Sequence, residues 1–525
     1  MELSEICNYK WFIFFVLVLL LCILYVKKRV TYWKNHGVPS LTTGIWSFLV
    51  ALRTFKNMPL HLLQLEAYKK YGRIYGIYLG LEPQLVIAEP HILKKILVKD
   101  FNMFHNRVDL ETGNPLFDKM LSGLKDDDWK RIRCIMSPTF SSSRMRKMAY
   151  LVRECTEKFS TDMKKIIETN RDQPIDCKKY LSNFSLDVIA STAFGTKLSS
   201  LDDPNNTFVD KFRKTTSTNV SLRLMIFFLF PKIFKYLKFN IFDEFTDYFK
   251  EFTLHVIEQR EKQNEKSNDF LQLLLDAQKG TLEISPEDIK ETNEKNEVEL
   301  KILPKHKTMS MEEMIAQCVL FLFAGSETST NTLSFVLYYL SFYPECQDKL
   351  VKEIDNVWNA NKEINFDVLT SMPYLDAVIS ETLRIEPVGF QLARECTEEY
   401  EISEIGFKIP KKMILIVPVY SMHHDEEFYP NPEKFDPERF MPENKSSIPP
   451  YAYLPFGEGP RNCIGMRFAL MVLKMCLVHI LHDFRVLATK ESKPLEFYTG
   501  QGLIQPKKVM YHTREINDYS LIYNY

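Results

Sequence analysis

Cys463 lies in Phe456-Gly-Glu-Gly-Pro-Arg-Asn-Cys-Ile-Gly465, a setting that suits a cysteine acting as a metal ligand. A glycine stands four residues before it, an arginine two before and another glycine two after. The apolar run Met466 to Leu481 follows with helical spacing. This pattern predicts a tight loop that delivers a sulfur to the start of a helix, where free N–H groups and the helix dipole favour negative charge. Gly459 and Gly465 would let the backbone pass close to a flat ligand, where a Cβ would clash. Phe456 can lie over the sulfur and keep water out. Arg461 offers a cation two residues away, suited to an acidic group on that ligand. A lone cysteine is more often simply buried, but the fixed offsets of Phe, Gly and Arg argue against that here.

Three further constellations accompany this loop. Ser310-Met-Glu-Glu313 reads as a capping box, opening a helix that runs to about Tyr343, where Pro344 ends it. At 1.5 Å per residue this helix is roughly 50 Å long. In its middle sits Ala324-Gly-Ser-Glu-Thr-Ser329. Glycine there costs about 1 kcal/mol against alanine, and the polar residues beside it interrupt an apolar face, a local defect that points to function. The ordinary alternative for Thr328 is a hydroxyl bonded back to the preceding turn. Trp129-Lys-Arg-Ile-Arg133 places Trp and Arg one turn apart on a predicted helix. Glu381-Thr-Leu-Arg384 places a carboxylate and a guanidinium on one helix face, and Phe435-Asp-Pro-Glu-Arg439-Phe supplies a downstream arginine.

Together these motifs resemble the cytochrome P450 family, over about residues 35 to 525. The resemblance implies a mainly α fold with small β-sheets, the cytochrome P450 fold, preceded by a single N-terminal transmembrane helix. It implies haem b as cofactor, with the thiolate of Cys463 as the proximal iron ligand. Gly325 would let dioxygen and the haem face approach the helix backbone. Thr328 would hydrogen-bond the oxygen or a water beside it, and Glu327 would link that network to solvent protons, since a hydroxyl beside an acid suits proton delivery. Trp129, Arg133, Arg461 and Arg394 would face the haem propionates, with Arg107 a further candidate. Glu381, Arg384 and Arg439 would lock the cysteine loop, a structural role.

The implied activity is a haem-thiolate monooxygenase, which inserts one oxygen atom of O2 into a lipophilic small molecule. No Gly-x-Gly-x-x-Gly fingerprint is present, so electrons would come from outside. The resemblance implies NADPH-cytochrome P450 reductase as the donor, with cytochrome b5 as a second one. Lys130, Arg131 and Arg467 are candidates for a basic docking patch. Phrases such as Asp127-Asp-Trp-Lys-Arg-Ile-Arg133, Ser137-Pro-Thr-Phe140 and Phe323-Ala-Gly-Ser-Glu-Thr resemble the microsomal, xenobiotic-handling branch, especially its insect members. They imply plant toxins or insecticides as substrates, with hormones or fatty acids as rivals. A haem-thiolate isomerase would have less use for Thr328 and a basic docking surface, and a haem-binding sensor or carrier less use for the Gly325, Glu327 and Thr328 set.

These side chains must be positioned by a large, mostly helical body. The chain has 525 residues, 45% of them hydrophobic and 13% aromatic, ample for a sizeable core. A formal net charge of −1 gives no reason to expect nucleic acid as a partner. Ten cysteines without C-x-x-C spacing argue for reduced thiols and a cytosolic body. Trp11 to Val26 is uninterrupted and apolar, about 24 Å of helix, with Lys27-Lys28-Arg29 directly after it. It reads as an uncleaved signal-anchor that leaves the catalytic domain facing the cytoplasm, in a single-pass protein of the endoplasmic reticulum membrane. Sequons at Asn183, Asn205, Asn219 and Asn444 would then stay bare.

The expected organisation is an anchor over 1–29, a turn-rich hinge over 30–45 and a haem-binding monooxygenase domain over 46–525. Leu60 to Lys70 predicts a helix stopped by Gly72. Ile74 to Leu79 and Gln84 to Ile87 predict strands, and further sheet pieces are expected near Phe407 to Val419. Lys279 to Thr308 reads as a solvated connector. Val220 to Phe242 reads either as a core helix pair or as a lid dipping into the membrane. The segments Phe101 to Lys125 and Leu201 to Phe242 carry no readable code for a substrate.

Overall fold

The reciprocal cap expected at Ser310 opens the longest helix of the body. The Glu313 N–H donates to Ser310 Oγ at 3.2 Å, and the Ser310 N–H donates to Glu313 Oε2 at 2.8 Å. The computed structural model describes residues 2–41, 58–108, 113–170, 173–203, 205–216, 243–263, 267–281, 308–361, 363–492, 494–499 and 502–515. The Val220–Phe242 segment and most of the Lys279–Thr308 connector lie outside the described residues.

The principal helices are α1 (Glu2–Val30), α2 (Leu60–Tyr71), α3 (Asp126–Met136), α4 (Ser142–Thr169), α5 (Cys177–Phe194), α6 (Met311–Phe342), α7 (Pro373–Ile385), α8 (Val419–His423) and α9 (Met466–Asp483). Helix α6 ends at Tyr343, as Pro344 dictates. Helix α5 is buried nearly all round and packs along α6, while α4 and α9 pack together beside them. The core joins these helices through residues such as Phe159, Phe184, Val319, Leu333, Leu473 and Leu477.

The strands are β1 (Ile74–Leu79), β2 (Glu82–Ile87), β3 (Ile175–Asp176), β4 (Leu392–Glu395), β5 (Tyr400–Ile402), β6 (Phe407–Ile409), β7 (Ile414–Val417), β8 (Phe484–Leu487) and β9 (Met510–Glu515). One sheet runs β1-β2-β7-β4, a second β3-β9-β8 and a third β5-β6. Among these described strands only the β2–β7 pairing is parallel, with Leu85 opposite Leu415. The hairpin between β1 and β2 is tighter than expected, because β2 already begins at Glu82. The mainly α fold with small sheets stands as expected.

Helix α1 carries the apolar run. Trp11–Val30 has mean hydropathy 2.3, and its apolar side chains from Trp11 to Tyr25 are exposed. It is the one helix among the described residues long and apolar enough to cross a membrane. Residues 30 to 41, expected to form the first part of a hinge, are packed onto the first hairpin together with Arg29. Val30 and Trp33 are fully buried. Trp33 Nε1 donates to Ile77 O at 3.0 Å, and Tyr78 OH donates to Val30 O at 3.0 Å. Arg29 Nε donates to Leu81 O at 3.1 Å and its guanidinium pairs with Glu82. Gly76 is needed beneath the indole, since a Cβ there would lie 2.3 Å from Trp33 Cγ. A turn-rich sequence suggested freedom; a buried tryptophan removes it. Among the sequons, Asn183 is buried and accepts from Arg213 Nη2 at 2.6 Å, whereas Asn205 and Asn444 are exposed.

Candidate active site

Midway along α6, Leu320, Phe323, Glu327 and Thr328 are partly accessible and Ala324 is exposed, although Met314–Val319 before them and Ser329–Leu337 after them are buried. Residues spaced i, i+4 share a helix face, so this stripe borders a hollow inside the body. Phe321 on α6 meets Phe468 on α9 at 5.1 Å between ring centroids. The stripe and Cys463, just before α9, are therefore brought to one level of the same helix pair.

The cysteine loop is built by backbone hydrogen bonds. Leu454 O accepts from the Gly457 N–H at 3.0 Å, Gly459 O from the Asn462 N–H at 3.0 Å, and Phe456 O from the Cys463 N–H at 2.8 Å. Gly457 and Gly459 both have left-handed φ, 71° and 73°. Gly459 has a further reason to be glycine that differs from the expected one. A Cβ there would stand 2.0 Å from Leu97 O, so it admits a neighbouring stretch of protein rather than a flat ligand. Gly465 does have open space where a Cβ would go. Cys463 itself is exposed, yet burial among protein atoms raises its thiol, opposed by the Gly465 N–H and by Arg133 and Arg107. Exposure and desolvation together describe a sulfur facing an internal hollow, not bulk solvent.

Four arginines converge on this loop. Arg133 donates to Asn462 O at 3.1 Å and to Asn462 Oδ1 at 2.7 Å, and its buried Nε has no partner among the described residues. Arg461, 3% exposed, donates to His105 O and Leu124 O, and its guanidinium lies 3.9 Å above the Trp129 ring. Trp129 thus clamps an arginine, a contact that its spacing in the sequence does not reveal. Arg107 donates to Arg461 O at 3.1 Å. Arg394, on β4 and 1% exposed, donates to its neighbour's carbonyl, Ala393 O, and its Nε has no partner among the described residues.

Among the described residues Arg107, Arg133 and Arg394 have no carboxylate partner. Desolvation, with the charge of Arg107 adding to it, pulls Arg133 down to about 10 and Arg394 to about 9, and Cys463 partly opposes the fall at Arg133. Buried cations that repel one another and lack an acid call for an anionic ligand. A macrocycle carrying two carboxylates fits this set, and a thiol beside it fits an axial metal ligand. The residues present therefore suit haem.

On α6, Thr328 Oγ1 donates to Ala324 O at 2.6 Å, so its proton is committed to the helix and its lone pairs remain to accept. Gln505 Nε2 donates to Glu327 Oε2 at 3.4 Å. Gly325 also departs from expectation. A Cβ on it would lie 2.4 Å from Ile189 Cδ1, so the glycine lets α5 approach α6. Ala324 is the most accessible residue of that turn, with Gly325, Glu327 and Thr328 partly accessible.

The structural lock stands as its motifs imply. Glu381 takes both Nε and Nη2 of Arg384, at 2.7 and 2.8 Å, with both side chains fully buried. Arg384 also donates to His423 O, Pro432 O and Lys434 O. Arg439 Nε stands 3.5 Å from Glu381 Oε1, and its Nη2 donates to Pro430 O at 2.7 Å. The expected basic patch loses one member: Arg131 pairs with Glu313 and Asp128, which neutralises its charge. Arg107 is only a further candidate in the sequence, and nothing there singles out His423 or Gln505. No local signal marks them, since each reaches its partner across tens to hundreds of residues.

Comparison with known proteins agrees with this geometry. A family model described as cytochrome P450 matches residues 39–514. Cytochrome P450 3A2 of Rattus norvegicus is 37% identical over 515 residues, 96% of each chain. Cytochrome P450 3A27 of Oncorhynchus mykiss is 38% identical, over 84% of this chain and 83% of that one. Cytochrome P450 3A11 of Mus musculus is 34% identical over 97% of each. These relatives are vertebrate proteins.

Proposed function

The chain belongs to the cytochrome P450 family, and from that premise we propose that Cys463 supplies the axial thiolate to haem b and that the α6 stripe faces a lipophilic xenobiotic substrate. As a member of the family it is a haem-binding monooxygenase. When bound, haem supplies the activation of O2 with electrons from a donor, and a thiolate ligand favours O–O cleavage.

The residues of this chain do the rest. Arg107, Arg133, Arg394 and Arg461 would pair with the two propionates and offset their burial. Arg133 and Arg107 also favour the thiolate form of Cys463, against desolvation. The apolar Leu320, Phe323 and Ala324 exclude bulk water and receive a lipophilic molecule. Thr328 Oγ1 accepts a proton-bearing water in the hollow, and Glu327, held on its far side by Gln505, exchanges protons with it. The observation that carries the reading is three arginines without an acid partner among the described residues: Arg107 and Arg133, half-buried, act on the Cys463 thiol, and buried Arg394 feels the charge of Arg107.

Electrons come from a diflavin NADPH-cytochrome P450 reductase, with cytochrome b5 as a second donor. The body faces the cytoplasm from the endoplasmic reticulum membrane, a reading supported by Lys27, Lys28 and Arg29 directly after the apolar run. That orientation predicts bare Asn205 and Asn444, and a mass shift on endoglycosidase treatment would reverse it. The central experiment screens lipophilic compounds for spin-state shifts, then measures turnover with reductase and NADPH. Turnover of peroxides without NADPH would instead mark an isomerase.

A further inference from the structure

His423 connects the Glu381–Arg384 lock to the loop that carries the cysteine. Its Nδ1 lies 3.0 Å from Arg384 O, and since a carbonyl only accepts, Nδ1 carries the proton. Its Nε2 accepts from the Leu454 N–H at 3.0 Å. One neutral tautomer satisfies both bonds. The His423 carbonyl in turn accepts from Arg384 Nη1 at 2.9 Å, so the residue is gripped on both its backbone and its ring.

From Leu454 the connection is short. Its carbonyl closes the turn to Gly457, and Phe456 O accepts from the Cys463 N–H. The next residue back, Tyr453, stacks on the imidazole at 5.3 Å and 22°, and its hydroxyl donates to Ser380 O on α7 at 2.9 Å. The ring is completely buried. Burial and the adjacent Arg384 guanidinium hold it far below the usual imidazole range, so the acceptor at Nε2 persists across the range in which an exposed histidine would gain a second proton. An imidazolium would turn an N–H against the Leu454 N–H.

We propose that His423 is a positioning residue that carries the rigidity of the Glu381–Arg384 pair into the Leu454–Cys463 loop and so fixes the sulfur for its iron. The proposal rests on the reading of Cys463 as the axial ligand. His423→Phe keeps a ring against Tyr453 and removes both nitrogens. In that variant the Leu454 amide exchanges its hydrogen about tenfold faster, the mark of one lost buried hydrogen bond. The reduced carbon monoxide complex also loses part of its red-shifted thiolate band. His423→Asn, which retains a donor and an acceptor on one planar group, restores both signals in large part.

Unchanged Leu454 protection in His423→Phe overturns the proposal, as does a full thiolate band despite lost protection. Where His423→Phe does not accumulate, nitrogen NMR of histidine-labelled wild-type protein decides. The Nδ1–H tautomer supports the latch, and an Nε2–H tautomer refutes it. The two readings separate cleanly: Cys463→Ser should lose the thiolate band while Leu454 stays protected. A retained band there would sink the ligand assignment and leave the latch standing.

Discussion

Ile189 Cδ1 on α5 stands 2.4 Å from the place a Cβ would take on Gly325 of α6, and Ile189 Cγ1 stands 3.2 Å from it. Helices normally gain about 1 kcal/mol when an interior glycine becomes alanine. Here that gain is opposed by an overlap with a branched side chain in a packed core, which costs about 1–3 kcal/mol. Gly325→Ala should therefore lower the thermal midpoint. Ile189→Val alone should cost about 0.5–1.5 kcal/mol, as a lost methyl does. The double variant should be no worse than Ile189→Val, because the overlapping atom is gone. Strictly additive losses would mean that the glycine serves something other than this contact.

Cys463→Ser tests the sulfur itself. A neutral hydroxyl is a poor ligand for ferric iron, so the variant should lose the red-shifted Soret band of the reduced carbon monoxide complex. Among the described cysteines from Cys134 to Cys476, Cys463 alone is exposed and the others are buried or partly buried free thiols. Retention of the band would require another sulfur to replace it.

The parts legible in the sequence are those whose partners lie within a few residues. The Ser310 capping box, the Glu381–Arg384 pair and the loop before α9 each declare themselves in one short window. What could not be read is contact at long range. Gly459 answers to Leu97, Gly325 to Ile189 and Leu454 to His423, and no spacing rule encodes those pairs. The short strands escaped for the same reason. Ile175 pairs with Tyr511 across the whole body, and a two-residue strand has no periodicity to detect. Trp129 shows a subtler limit. Its type and spacing suggested a direct contact to a propionate, whereas in the structure its ring lies under the Arg461 guanidinium.

Thr328→Ala should separate electron consumption from product formation. The hydroxyl bonded to Ala324 O is lost, and with it an acceptor beside Glu327. Positioned acid–base groups are typically worth about 10²–10⁴-fold, although water replaces part of that. NADPH oxidation should continue while product per NADPH falls and hydrogen peroxide rises, with substrate-induced spectral shifts retained. Thr328→Ser, which keeps the hydroxyl, should behave close to the parent. An unchanged product ratio in Thr328→Ala would reduce Thr328 to a helix residue.

Glu386 gives stability a slope with pH. It is 6% exposed, accepts from Tyr339 OH at 3.2 Å and has no partner at Oε2 among the described residues. Burial raises its carboxyl from 4.5 to about 8, with the Glu433 charge adding to the rise and the Tyr339 bond opposing it. The unfolded chain releases this proton near 4.5 and the folded protein keeps it to about 8. Between those limits the folded state binds more protons, so stability is greatest at the acid end and falls as pH rises. At about 1.4 kcal/mol for each pH unit across that window, the loss is on the order of a few kcal/mol. Glu386→Gln should flatten that slope and raise the thermal midpoint at the alkaline end. An identical slope in the variant would show that the carboxyl is already ionised in the folded protein.

Trp33 decides how freely the body moves on its anchor. Its indole fills the space over Gly76 and bonds Ile77 O, while Tyr78 ties Val30 and Arg29 ties Leu81 and Glu82. Removing a buried tryptophan side chain costs about 3–5 kcal/mol in a core, and here the loss falls on one local joint. Trp33→Ala should therefore leave the haem spectrum intact and membrane attachment complete, because α1 and the Cys463 loop are untouched. Its effect should appear as faster limited proteolysis between residues 30 and 41, where a packed turn becomes an open linker. Trp33→Phe should give an intermediate rate, since it keeps part of the ring and loses the bond to Ile77 O. Equal cleavage rates in all three proteins would show that the tyrosine and arginine contacts hold the joint without the tryptophan. Loss of haem in Trp33→Ala would instead place the first hairpin within the same cooperative unit as the cysteine loop.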